Sequence, residues 1–481
     1  MSIKIRDYQE ELIADTREAL RESNSVVMQS PTGSGKTLTT ASIVKSVLQK
    51  NKRCIFCVHR IELVTQTSAA FNKLGIEHGF IASGEDYDES KLVHIAGIDT
   101  LRRRLEEIVP PDLLICDEGH RYMAESYKKV VDYWPTAKKL IITATPERTD
   151  GRGLKHIAQK LVVGKTPRWL IEQGFLSPYR VFAPADPDLS GIKTTGGDYQ
   201  VDQLAAAMNT SVITGNALEH YKKHCDGMQA VVFAVNIEHS KAITNQFNES
   251  GIPSAHLDGK LGKIEREDIV ERFKYGETRV LSSVNLLIEG LDIPNIQACI
   301  MLRPTKSLIV FLQSVGRALR PVYADGYDLE TQEGRLSAIE AGTKKYDILL
   351  DHAGNTKRFG LPAIDRHWSL EGKKGRPKSK ILNTTCKECF HVFERKPNEP
   401  IECPVCGWKP EPTEKKGNEA VAGELEEIIE KPNEWAWSAN KSLSVVKEKA
   451  KTRADLVQIA KARGYKIGWA FFKAKEWGIY K

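Results

Sequence analysis

The sequence predicts an α/β protein: two tandem doubly wound parallel-sheet domains followed by two small appendages. Two observations predict this. Short apolar runs rich in branched residues alternate with helix-length stretches up to about residue 175, and the alternation restarts after the break Gly174-Phe175-Leu176-Ser177-Pro178. Beyond about residue 360 it gives way to charged segments and paired cysteines. Strands covered by helices on both faces carry continuous apolar runs rather than an every-other-residue pattern, and a βα repeat supplies those helices as crossovers.

In chain order, the strand candidates of the first domain are Val26–Met28, Cys54–Val58, Leu113–Cys116 and Leu140–Ile142, with helical stretches at Thr37–Lys50 and Arg60–Leu74. Trp169–Gln173 reads as a helix stopped by Gly174, with Pro178 setting an extended exit. Ala230–Val235, Arg279–Ser282 and Ala298–Leu302 are the strand candidates of the second domain. The expected domains are therefore 1–175 and 176–365. Residues 366–382, with five positive charges between Gly372 and Lys380, read as a basic linker. Residues 383–410 contain the cysteine pairs. Residues 411–434, with eight glutamates against three lysines, read as an acidic tether, and 435–481 as a basic, aromatic helical module.

A length of 481 residues suits several domains, and 41% hydrophobic residues exclude wholesale disorder. No stretch approaches the roughly 20 apolar residues that span a bilayer. The amphipathic N-terminus lacks the apolar core of a signal peptide, so a cytoplasmic protein is expected. Lysine and arginine number 70 against 63 acids, an excess of seven, yet Lys441–Lys481 alone holds 11 basic and 3 acidic residues. The body is nearly neutral and the tail basic, an asymmetry that suits a polyanion such as nucleic acid. Five of the nine cysteines, including Cys54 and Cys57, sit in apolar segments and read as buried thiols.

Ser30-Pro31-Thr32-Gly33-Ser34-Gly35-Lys36-Thr37 follows a strand and opens a helix, the setting of a phosphate-binding loop. Small residues let backbone N–H groups face phosphates at a helix N-terminus; Lys36 would reach the β- and γ-phosphates, and the Thr37 hydroxyl would bind Mg²⁺. The strict pattern has glycine where this chain has Ser30. Asp117, at the end of a buried strand, suits a second Mg²⁺ contact, and Glu118 suits a base for the attacking water. Cys386-x₂-Cys389, then Cys403-x₂-Cys406, is a four-thiolate pattern for structural Zn²⁺, and its spacing resembles a zinc ribbon over 383–410. In the tail, Lys466 and Trp469 belong to a stretch where aromatics interleave with lysine. Two readings stand side by side there: bases stacking on the rings, or rings forming the core of a small helical module.

Asp117-Glu118-Gly119-His120 resembles the DEAD/DEAH box of superfamily 2 helicases, with glycine in place of alanine. The other motifs of that family follow in order over about residues 5–325. Arg6-Asp7-Tyr8-Gln9 resembles the adenine-reading motif of the branch containing the eukaryotic transcription-repair helicase and its phage relatives. His59 and Arg60 with Gln66 resemble motif Ia, Asp99-Thr100-Leu101 motif Ib, and Thr143-Ala144-Thr145-Pro146 motif III. Val232-Phe233-Ala234 resembles motif IV, Asn285 through Gly290-Leu291-Asp292 motif V, and Gln313 through Arg317 and Arg320 motif VI. The resemblance implies RecA-like domains, ATP and Mg²⁺ as cofactors, and a catalytic set of Lys36, Asp117, Glu118, His120, Gln313, Arg317 and Arg320. It implies nucleotide contacts from Arg6, Tyr8, Gln9, the loop from Pro31 to Thr37, Gly290 and Asp292. It implies nucleic-acid contacts from His59, Arg60, Gln66, Thr100, Thr143, Thr145 and Asn285. Arg317 and Arg320, three apart on one helix, would bring positive charge from the second domain to the γ-phosphate.

The expected function is an ATP-dependent helicase or translocase acting on duplex or branched DNA in a bacterial or phage-infected cytoplasm. An RNA helicase, or a DNA-binding scaffold with a degenerate ATPase core, are the alternatives. Replication or recombination proteins are the further partners such a role implies, and a monomer is compatible with it.

Overall fold

The apolar runs of the first domain are strands buried along their length. The computed structural model describes residues 4–148, 150–183, 189, 191–195, 198–208, 211–284, 296–372, 383–394, 400–410, 438, 443–463, 465 and 468–479. Its first lobe contains, in order, α1 (Asp7–Glu22), β1 (Ser25–Gln29), α2 (Lys36–Leu48), β2 (Cys54–Val58), α3 (Ile61–Lys73), β3 (Gly79–Ile81), β4 (Val93–Gly97), α4 (Ile98–Arg103), β5 (Leu113–Cys116), α5 (Glu125–Tyr133), β6 (Lys138–Thr143), β7 (Lys160–Val163) and α6 (Pro167–Glu172). The strands pair in parallel in the order β3-β4-β2-β5-β6-β1-β7. Alternate side chains feed two cores. Met28, Phe56, Val58, Ile115 and Ile142 pack under the first three helices, while Val27, Ile55, Cys57, Leu114 and Ile141 pack against α4 and α5. Because β1, β5 and β6 are neighbours pointing the same way, their C-terminal ends converge on one edge, where open parallel sheets bind ligands.

The second lobe runs through β8 (Tyr179–Phe182), β9 (Thr194–Thr195), β10 (Asp198–Tyr199), α7 (Val201–Met208), α8 (Ser211–His224), β11 (Ala230–Phe233), α9 (Ile237–Glu249), β12 (Ser254–Leu257), α10 (Lys263–Lys274), β13 (Val280–Ser283), β14 (Ala298–Met301), α11 (Leu308–Ala318), α12 (Gln332–Ala341), β15 (Asp347–Asp351), α13 (Asn355–Phe359), β16 (Asn383–Thr385) and β17 (His391–Glu394). Its sheet has the order β12-β13-β11-β14-β15-β8-β17-β16, parallel as far as β8. One of its cores runs without a break from Val231, Met301 and Phe311 into Tyr8, Leu170, Phe175 and Leu176 at the root of the first lobe.

Two segments beyond residue 365 are tied to the lobes. The cysteine segment does not stand apart, because β17 pairs antiparallel with β8 and extends the second sheet. An unpaired edge strand exposes backbone donors and acceptors, and this hairpin covers that edge. The basic linker is not wholly a solvated spacer either. Its first residues return to the first lobe, where Lys155 N donates to Leu370 O at 3.1 Å, Gly372 bridges Arg152, and Leu370 packs beside that lobe's core. Residues 373–382 lie outside the described residues.

Residues 411–481 form a separate compact unit. Its helices α14 (Leu443–Lys449), α15 (Arg453–Ala462) and α16 (Gly468–Trp477) enclose Val446, Leu456, Ile459, Ala470 and Ala474. Thr452 and Asp455 cap α15 reciprocally, Thr452 Oγ1 accepting from Asp455 N at 3.1 Å and Asp455 Oδ2 from Thr452 N at 2.8 Å.

A candidate nucleotide site between the lobes

The loop from Ser30 to Gly35 joins β1 to α2, and Gly33 and Gly35 hold φ of +86° and +82°. Hydroxyls staple it where the strict pattern would have glycine: Ser30 Oγ and Ser34 Oγ lie 2.6 Å apart, and Ser34 Oγ donates to Pro31 O at 2.7 Å. Motif III supports it from below, with Thr143 O accepting from Ser30 N at 3.1 Å and Ala144 O from Gln29 Nε2 at 2.9 Å. From α1, Tyr8 Oη donates to Ser34 O at 2.8 Å, and Gln9 Nε2 donates to the same oxygen at 3.1 Å. Lys36 Nζ rests on Ser30 O and Pro31 O, each at 3.3 Å, while Thr37 is exposed.

Asp117 and Glu118 follow β5 on the same edge. Glu118 takes the left-handed conformation, φ +53° and ψ +58°, uncommon for a residue with a side chain and found where a site needs a carboxylate turned a particular way. Its N–H donates to Asp117 Oδ1 at 2.9 Å. Burial, and then the Glu118 carboxylate beside it, raise the Asp117 carboxyl above its ordinary range, and Lys36 pulls the other way. For Lys36, burial lowers the ammonium, Glu118 and Asp117 oppose that, and Arg317 and Arg320 reinforce it. Charges from both lobes therefore act on one lysine.

The second lobe enters through α11. Gln313 Nε2 donates to Glu118 Oε2 at 3.1 Å, and His120 Nδ1 lies 3.4 Å from the same oxygen. Gly316 meets Thr32 so closely that a Cβ there would stand 2.5 Å from Thr32 Cβ. Arg320, mostly buried, has its guanidinium lowered by that burial. A second bridge joins Arg266 of α10 to Glu62 of α3 at 3.1 Å.

Lys36, Asp117, Glu118, His120, Gln313, Arg317 and Arg320 thus gather at one cleft. His59 and Arg60 follow β2, Thr100 lies on α4 after the adjacent β4, and Gln66 is on α3, which puts these four beside the same sheet edge. Thr143 and Thr145 are a correction. Both are fully buried, and the Thr143 hydroxyl donates to Thr145 O at 2.9 Å, so neither offers a surface to a strand. Trp469 is half-buried and packs on the core of the C-terminal unit, as one of the two readings of the tail expects. Asn285, Gly290, Asp292 and Lys466 lie outside the described residues.

Sequence reasoning missed Phe175 and Arg335. Arg6 and Arg335 place guanidiniums 4.6 and 4.0 Å from the Phe175 ring centroid, beside Tyr8, in a cavity of about 500 Å³ also lined by Trp169 and Tyr323. Lys344 was missed as well. This 2%-exposed ammonium donates to Arg320 O at 2.6 Å and lies 2.9 Å from Asp347 Oδ1, fixing the backbone that carries Arg320. Neither group has a sequence signal, since the contacts join segments far apart in the chain.

The four thiols of Cys386, Cys389, Cys403 and Cys406 lie within 4.8 Å of one another, with Sγ–Sγ distances of 3.5 Å between Cys386 and Cys406 and 3.6 Å between Cys389 and Cys403. Cys54 and Cys57 are buried in β2, where burial raises both thiols, Cys57 to about 12, so they carry no reactive thiolate.

Residues 2–148 match the family described as Type III restriction enzyme, res subunit, and residues 215–322 the Helicase conserved C-terminal domain. A 51.5 kDa protein of Lactococcus phage (isolate 7-9) is 31% identical over 409 residues, 84% of this chain and 82% of that protein. The candidate ATP-dependent helicase IRC3 of Saccharomyces cerevisiae is 31% identical over 66% of this chain, which spans about half, 49%, of the yeast protein. The DNA 3'-5' translocase XPB2 of Sulfurisphaera tokodaii is 27% identical over 66% of this chain and 79% of its own. Among solved structures, the fragment of a candidate HsdR subunit of a type I restriction enzyme from Vibrio vulnificus YJ016 shares the fold, with a TM-score of 0.57 at 21% identity over 74% of this chain and 65% of that one.

Proposed function

We propose, from the premise that this chain belongs to the superfamily 2 helicases, that it is an ATP-driven DNA translocase whose hydrolytic site is shared by its two lobes. The observation that carries this reading is the interlobe hydrogen bond from Gln313 to Glu118 beside the Gly316–Thr32 contact, since it completes the site only when the lobes close. Thr37 and Asp117 would hold Mg²⁺, and Lys36 the β- and γ-phosphates. Glu118 would orient the attacking water, held in aim by Gln313. Arg317 and Arg320 would stabilise the charge that develops on the transferred phosphoryl group. The base would enter the cavity walled by Arg6, Tyr8, Phe175 and Arg335. His59, Arg60, Gln66 and Thr100 would grip the backbone of the strand. DNA rather than RNA is supported by the relative named as a DNA translocase.

We further propose that the four cysteines bind zinc. Tetrahedral thiolates about 2.3 Å from Zn²⁺ lie just under 4 Å apart, close to the spacings here, and four ligands leave no open position, so the ion would be structural. Among the described residues no helix is long and apolar enough to cross a membrane. The compartment we propose is the reducing cytoplasm of a bacterial or phage-infected cell, which keeps such thiols free to bind metal.

ATP hydrolysis measured with duplex DNA, forked DNA, structured RNA and no nucleic acid tests the reading. Stimulation by DNA is expected, together with loss of turnover in Lys36→Ala and Arg320→Ala. Glu118→Gln should bind ATP yet turn over at least about a hundredfold more slowly. Turnover indifferent to DNA, or equal stimulation by RNA, would overturn the DNA assignment.

A further inference from the structure

Helix α16 closes the core of the C-terminal unit with one face and leaves two phenylalanines outside it. Its inward face carries Ala470 and Ala474, 3% and 2% exposed, with Trp469 and Trp477 half-buried beside them. Its two phenylalanines face outward, Phe471 59% and Phe472 68% exposed. Trp477 and the two alanines hold the inward face, which leaves both phenylalanine rings in water side by side, an exposed apolar pair of the kind that marks an interaction site. Lys475 stands one turn beyond Phe471, exposed, and the Lys473 ammonium lies 5.7 Å from the Phe472 ring centroid. From Lys441 to Lys481 the chain carries 11 basic and 3 acidic residues.

We propose that the outer face of α16 is a binding site for single-stranded DNA, on which two bases stack against Phe471 and Phe472 while Lys475 and the neighbouring basic residues meet the backbone. The occupant follows from the chemistry of the face. Flat rings set among cations match a polyanion with exposed aromatic planes, whereas a duplex hides those planes in its own stack. An acidic peptide would answer the charge but supply no partner for two planar rings. The inference rests on the DNA-translocase reading and deepens it, placing a second grip on a unit that contains none of the residues assigned to hydrolysis. Within the aromatic stretch of the tail, Trp469 packs on the core while these two rings are the ones left open to bases.

The test uses the full chain, with anisotropy of a fluorescently labelled oligo-dT strand and of a blunt duplex. Phe471→Ala/Phe472→Ala should weaken oligo-dT binding by roughly a hundredfold, since each of the two stacked bases contributes about tenfold. Duplex affinity, the salt dependence of binding and the ATPase rate at saturating DNA should stay as in the parent. Phe471→Tyr/Phe472→Tyr keeps the planes and should restore affinity for the strand. Unchanged oligo-dT affinity in the alanine variant would overturn the proposal. So would an equal loss for strand and duplex, or failure of the tyrosine variant to recover. If DNA does not stimulate the parent's hydrolysis, the translocase reading itself fails. Stimulation in the parent with unaltered binding by the alanine variant sinks only the stacking site.

Discussion

A methyl group added at Gly119 would stand 2.3 Å from Ile141 Cγ2, inside β6, and that contact explains why this chain has glycine where the related box has alanine. Gly119→Ala is therefore expected to destabilise the first lobe by about 1–3 kcal/mol, the usual cost of overpacking, visible as a lower melting temperature. An unchanged melt would mean that Ile141 yields without strain. The chemistry of the loop and of Asp117-Glu118 was legible in the residues because phosphate and metal binding demand particular side chains at fixed local spacing. The burial of Thr143 and Thr145 was not legible, because a threonine in a motif looks alike whether its hydroxyl faces a strand or its own backbone.

At the scale of elements, α11 is the part that the second lobe presents to the nucleotide, and its approach is limited by Gly316 against Thr32. Gly316→Ala lengthens one side chain by a methyl where there is no room, yet alanine favours the helix over glycine by about 1 kcal/mol. We expect ADP binding to persist and turnover to fall at least about tenfold, because a shift of about 1 Å in a catalytic group is costly. Normal turnover would show that the lobes need not approach this closely. A second element-level prediction concerns α8 and the end of β15. Burial depresses His224 to about 4 and His352 to about 3 from an ordinary 6.5, and Phe182 stacks on His224 with ring centroids 4.1 Å apart. Between pH 6.5 and about 4 the unfolded chain takes up protons that the folded chain excludes, so stability is lost as pH falls through that window. His224→Phe keeps the stack and removes one of these sites. Its melting temperature should gain on the parent's as pH drops from 7 to 5, and a constant difference would refute the assignment. Strands and helices were readable from apolar runs, but which helix faces which lobe depends on contacts such as Gln313 to Glu118, 195 positions apart.

In the molecule as a whole, the cysteine segment and the second sheet are one structure. The Ala183 amide donates to Phe390 O at 3.0 Å, and β17 pairs with β8, so on the zinc reading losing the ion should loosen an edge of the lobe as well as a local loop. Cys403→Ser is expected to carry no zinc and to show faster hydrogen exchange along β8 as well as within residues 383–410. Metal loss with β8 unaffected would separate the two. Sequence composition located the paired cysteines and the basic tail, but a linker's charge says nothing about where its first few residues attach. Those residues bear on the motor. The chain passes between the lobes once near Gly164–Pro178 and again where Leu370 and Gly372 dock beside Arg152. A body held at one point can twist in any direction, whereas one held at two can only swing about the line between them. Each ATP would then drive a door on two pins, and the direction of every stroke along a strand would be set by where those pins stand.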